Sequence, residues 1–283
     1  MTTVTGTAAA GTPETGPRGR FRDLLAAEWL KLWSLRSTPW SLLIGAVAVT
    51  AFNAGAAWDH YRYWDVLDPE ARAGFVADGI PLRDAFTANA ALVLLLAAGA
   101  IGATAVTREY GTGMIRATFA AVPARRPLMA AKACVVTAVA ILFGVVVAGG
   151  SFLLTQTILG ARDAGVSLGH PGAPRVVAAS ALLAPVAALT GLALGVLIRH
   201  GAATTVACFA VLLLLPAAVR ENRHWAAVLD HALPLGAWNR LAVPDGFPPG
   251  PYPWTVSGAW TVYAAWALAA AALTVAVVHH RDQ

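Results

Sequence analysis

Six uninterrupted apolar blocks, each about as long as a membrane is thick, constrain this chain more than any other feature. They run over about residues 40–57, 86–106, 133–158, 176–198, 202–219 and 256–278. Roughly 20 helical residues cross a hydrocarbon core of about 30 Å. Inside lipid no water meets the backbone N–H and C=O groups, and a helix satisfies them all within one segment. The short alternating segments that a barrel requires are absent. Composition agrees, with 58% of the 283 residues hydrophobic and 12% charged, about half the charge of a soluble domain. The expected fold class is all-α integral membrane, one transmembrane domain over 21–283 behind a disordered tail over 1–20.

The basic residues orient such a bundle, because cytoplasmic loops carry the excess of Lys and Arg. Arg18, Arg20, Arg22, Lys31 and Arg36 precede the first span, and Arg108, Arg116, Arg125, Arg126 and Lys132 lie between the second and third. The opposite side holds Asp59, Asp65, Asp68, Glu70, Asp78 and Asp84 in its first loop. The basic side is therefore read as cytoplasmic, with both termini there. The net charge of +5 is explained by this topology. Nucleic acid is not an expected partner, since basic residues flank apolar blocks rather than mixing with aromatics on one face. Cys134 and Cys208 fall within apolar blocks and read as small core residues. The N-terminus lacks the basic stretch and apolar core of a cleavable signal.

Two absences narrow the energy source. Neither Lys31 nor Lys132 follows the glycines of a phosphate-binding loop, so that motif offers no ATP site. The spans hold neutral polar groups, among them Asn53, Thr155, Gln156 and Thr190, but no charged residue of the kind that carries a coupling ion.

Before the first span, residues 21–36 form an amphipathic elbow helix with Phe21, Leu24, Leu25, Leu32 and Leu35 on one face. Glu28 sits within that stripe, where an acid is disfavoured without a partner. Either it reaches water, or a cation meets it, with Arg116, Arg125 and Arg126 the nearest by topology. Between the second and third spans, a short helix over Gly113–Val122 would align Ile115, Phe119 and Val122 before Pro123. So short a helix needs a surface to lie on, either headgroups or a groove in another protein. Gly191 and Gly195 form a small-xxx-small pair on the fourth span, suited to close helix approach, with Ala193 between them on a more tolerant face. Residues 220–255 contain the stretch His224–Trp238, broken by Pro234 and Gly236, which reads as re-entrant or interfacial before the sixth span.

The run Arg108-Glu109-Tyr110-Gly111-Thr112-Gly113-Met114-Ile115-Arg116, followed by Pro123, Arg125-Arg126 and Lys132, resembles the first cytoplasmic loop of ABC type-2 transporter permeases. The segment Glu28-Trp29-Leu30-Lys31-Leu32 with Ser34–Thr38 resembles the pre-span segment of a bacterial branch. Here Gly113 is followed by Met114 and Ile115, where the family's common form has Gly-Thr and an aliphatic residue. The resemblance implies an exporter's permease subunit in a bacterial cytoplasmic membrane, paired with a second permease, as a homodimer or heterodimer. ATP and Mg²⁺ would be bound by a separate cytoplasmic ATP-binding subunit, and no cofactor by this chain. Glu109, Gly113, Met114, Ile115, Arg116, Phe119, Val122 and Arg125 would form the coupling interface with that subunit, and Glu28 and Lys31 would belong to the elbow. Glu109 and Arg116 would be the polar rim of the docked helix. A membrane-embedded enzyme acting on lipid or polyprenyl substrates is the alternative. It would need clustered acids or histidines, and neither His279–His280 nor His224 and His231 form a convincing set. An ion channel would show a charged ring or a carbonyl filter, and the sequence shows neither.

Overall fold

The computed structural model describes residues 20–34, 36–114, 125–219, 223–243 and 252–280. All regular structure among them is helical: α1 (Phe21–Ser34), α2 (Ser37–Arg62), α3 (Pro69–Gly74), α4 (Ile80–Ala85), α5 (Ala88–Gly111), α6 (Arg125–Gly160), α7 (Ala173–Ile198), α8 (Gly201–Ala218), α9 (His224–His231), α10 (Pro234–Ala242) and α11 (Val256–His280). Six of these, α2, α5, α6, α7, α8 and α11, are long and apolar enough to span a membrane. The chain is a multi-pass membrane protein of the expected class. The tail over 1–19 lies outside the described residues.

The helices overrun the apolar blocks at the basic end. α5 continues through Arg108 and Glu109 to Gly111, and α6 begins at Arg125 instead of 133. A backbone hydrogen-bond ladder does not stop where apolarity stops, and Pro127 falls in the first turn of α6, where its missing N–H is harmless. Glu109 and Lys132, expected to flank the spans, therefore lie inside helices.

α7 forms the core of the bundle and is buried along most of its length, whereas α2 and α8 expose rows such as Leu43, Ile44, Val47 and Val206, Phe209, Leu214. Glycines let α5 and α7 meet at backbone distance. A Cβ added at Gly102 would lie 1.8 Å from the Ala188 carbonyl oxygen, one at Gly191 2.0 Å from that of Gly99, and one at Gly195 2.5 Å from Val106 Cγ1. The expected glycine contact is thus made within the chain, and Ala193, read as tolerant, is 4% exposed. Pro185 lies inside α7 and has no N–H to give the carbonyl of Ala181. Gly144 of α6 packs against that carbonyl, with room for no Cβ, since one would lie 2.0 Å from its oxygen.

Opposite the basic end, α9 and α10 form the broken segment before α11. Trp238 Nε1 donates to Ser180 Oγ (3.0 Å), Tyr263 Oη to the Ala179 carbonyl (3.1 Å) and Trp266 Nε1 to the Ala232 carbonyl (2.7 Å). Cys208 is buried as expected, but Cys134 is exposed. Two positions on from Lys132 is about 200° around a helix, so Cys134 leaves the face on which Lys132 is buried.

Candidate functional site

At the basic end, three helices converge through one matched stripe. On α1, Leu24, Glu28 and Leu32 are buried at i, i+4 and i+8. Leu24 packs with Leu128 and Ala131 of α6, and Leu32 with Val135 and Val139. Between those apolar contacts Glu28 meets Lys132, so the two helices run parallel with an ionic rung between two apolar ones. Leucine against leucine tolerates sliding, whereas a buried charge tolerates only its partner, and the ion pair sets the register. Phe21, expected on this face, is exposed, and Leu35 lies outside the described residues.

The cluster is larger than a pair. Lys132 Nζ donates to Glu28 Oε2, to Glu109 Oε1 at 2.7 Å and to the Ala105 carbonyl at 3.3 Å. These three acceptors match its three protons. Lys31 donates to Glu28 Oε1 at 2.7 Å and lies 3.7 Å from Glu109 Oε1. Glu28, Glu109 and Lys132 are only 3–6% exposed, so the two carboxylates and two ammonium groups cancel where water is scarce. Removing one partner there costs far more than at a surface. The acid on α1 does have cationic partners, and among the described residues these are Lys31 and Lys132. Arg126 is exposed, and Arg116 lies outside the described residues.

The cluster ties α1 to the last turn of α5 and to α6, the two helices that bracket the loop. Gly113 closes α5 with φ +72°, and no described residue lies within 4 Å of a Cβ built there. Its requirement is for left-handed backbone rather than space. Met114 is exposed, and Arg125 opens α6 half-buried. Ile115, Arg116, Phe119 and Val122 lie outside the described residues. Glu109, expected on the rim of a docking face, is instead buried between Lys31 and Lys132, because the continued helix carries it back into the bundle.

A second polar cluster escaped the sequence reading. His60 Nδ1 and Asp84 Oδ2 are 2.6 Å apart at the opposite end, beside a cavity of about 630 Å³ walled partly by Phe86 and Trp238. Asp84 is buried and His60 half-buried. They are 24 positions apart, His60 in the last turn of α2 and Asp84 in α4, across a stretch that reads only as an acidic loop. His224 and His231 are held apart, against Tyr252 and Trp254 respectively.

The family model described as "ABC-2 family transporter protein" matches residues 24–216. That range covers Glu28, Glu109, Lys132 and the first four spans, ends at Pro216 within the fifth, and leaves α9 to α11 beyond it. No curated protein matches the chain.

Proposed function

The chain belongs to the ABC-2 transporter family, and from that premise we propose that it is the permease subunit of an exporter driven by a separate cytoplasmic ATPase. Its membership supports a membrane permease of an ABC transporter. The finer reading is that residues 113–122 dock on the ATP-binding subunit, which carries ATP and Mg²⁺, and that two permease subunits enclose the substrate path. The basic end then faces the cytoplasm of a bacterial cell, with both termini on that side.

The observation that carries this reading is the buried cluster of Glu28, Lys31, Glu109 and Lys132. A loop that merely joined two spans would not need its flanking helices pinned to a third. Here the ends of the loop and the elbow helix form one ionic unit, so a push on the loop reaches three helices together. Ile115, Phe119 and Val122 would supply the apolar face that receives the push, and Gly113, Met114, Arg116 and Arg125 its surroundings. Glu109 serves this interface from within, by holding the helix end.

Phe119→Asp tests the docking. The expected result is a correctly inserted permease that melts as wild type but no longer co-purifies with the ATPase. Retention of an active ATPase at wild-type stoichiometry would overturn the assignment.

A further inference from the structure

Beside the charge cluster lies a cavity of about 390 Å³ between α1, α5 and α6. Leu32, Ala105, Met114, Val135 and Val136 make its walls largely apolar. A smaller hollow of about 60 Å³ adjoins it between α2 and α5, and the two share Leu32, Thr104, Ala105 and Arg108. The hollow reaches Ala100, so the joined crevice follows α5 from Arg108 for about 12 Å into the second span. The charges along it do not balance. Glu28, Lys31, Glu109 and Lys132 offset one another within the cluster. Arg108 is a third cation in the lining against two carboxylates. It is exposed, and the one hydrogen bond its guanidinium makes among the described residues goes to a neutral group, Ser37 Oγ, at 2.8 Å.

A cation without a countercharge, at the head of a crevice walled by hydrocarbon, complements one chemical pattern: an anionic head on an aliphatic tail. We propose that the crevice between the elbow helix and the first three spans binds an anionic phospholipid such as phosphatidylglycerol. The phosphodiester accepts from the remaining N–H groups of Arg108. Lys31, whose side chain is 32% exposed, is the second accessible cation of the same cavity. The acyl carbons lie along Leu32, Ala105 and Val136 in the cavity and Ile101 in the hollow. Net charge selects the anion. A zwitterionic headgroup brings an ammonium to a site with one cation in excess, and the carboxylates there, Glu28 and Glu109, are only 3% and 6% exposed. A free inorganic anion would satisfy Arg108 but leave the walls bare. The surroundings agree: Arg22, Arg36 and Arg126 are exposed at the same end, and basic residues at a bilayer surface attract anionic headgroups. Trp29, Trp33 and Trp40 are exposed on α1 and α2, as befits helices at that surface.

The site is independent of ATPase docking, and its test reads lipid alone. The purified full-length chain in neutral detergent is given equimolar phosphatidylglycerol, phosphatidylethanolamine and phosphatidylcholine with identical acyl chains, and retained lipid is counted by native mass spectrometry. Phosphatidylglycerol should be retained about fivefold over either zwitterion, the worth of one basic residue beside an anionic headgroup. Arg108→Gln should bring the three lipids level, and Arg108→Lys should keep their order. Arg126→Gln, at an exposed arginine outside the cavity, should change nothing. Thr104→Phe keeps every charge but fills the crevice where its two parts meet, and should lower phosphatidylglycerol retention. Equal retention of the three lipids by the wild-type chain would overturn the proposal. An equal loss in Arg108→Gln and Arg126→Gln would show the general field of the basic end in place of a site. Unchanged retention by Thr104→Phe would overturn the location, and full displacement by soluble glycerophosphoglycerol would show a phosphate site that has no need of the hydrocarbon.

Discussion

Lys132 is the side chain on which the basic end depends most. Its three protons meet acceptors on two other helices, and it is 3% exposed. Lys132→Met leaves two buried carboxylates with Lys31 alone, a loss of about 3–5 kcal/mol for a broken buried pair. The expected result is a marked fall in melting temperature in detergent. Lys132→Met combined with Glu28→Gln should recover part of it, because the double change removes a charge of each sign. Equal destabilisation by the single and double variants would show that packing, not charge, is lost. Part of this was legible in the sequence. An acid in the middle of the Leu24–Leu32 stripe announces a partner, and Glu28 has one. The partner's identity was not legible, because Lys132 reads as a flanking residue until α6 is seen to begin at Arg125. The His60–Asp84 pair left no trace, since neither residue interrupts a pattern.

Among elements, α7 departs furthest from what composition reveals. All six spans read alike as apolar blocks, because lipid and protein neighbours are equally hydrocarbon. Only the structure distinguishes the buried α7 from the half-exposed α2. The spacing of Gly191 and Gly195 did announce a close approach, but it could not name α5 as the partner or show that Ala193 is enclosed as well. Gly102→Ala should lower the melting temperature sharply, since its new Cβ would lie 1.8 Å from the Ala188 carbonyl oxygen. Gly55→Ala, where nothing lies within 4 Å, should be neutral or stabilising by up to about 1 kcal/mol, the helix propensity difference. Leu at Ala193 should be nearly as damaging as Leu at Gly191. If Gly102→Ala and Gly55→Ala melt alike, α5 and α7 do not touch at backbone distance.

For the molecule as a whole, the prediction to test is that the basic end faces the cytoplasm. The Lys and Arg distribution predicts that orientation. In a background with Cys134 and Cys208 replaced, single cysteines at Asp65 and Asp163 should react with an impermeant thiol reagent added to intact cells. One at Ala121 should react only after lysis, and its labelling in intact cells would invert the molecule. The helix that joins the two ends has a weak point halfway along. Pro185 leaves the Ala181 carbonyl without its helical donor, and glycine lies against it. On one side of that rung, Ser180 and Ala179 hold Trp238 and Tyr263; on the other, Gly191 and Gly195 grip α5. Bending α7 at this knee breaks no hydrogen bond of the missing rung. The cover formed by α10 and α11 can therefore tilt while the clamp on α5 stays closed, so that one end of the bundle moves without the other being unpacked.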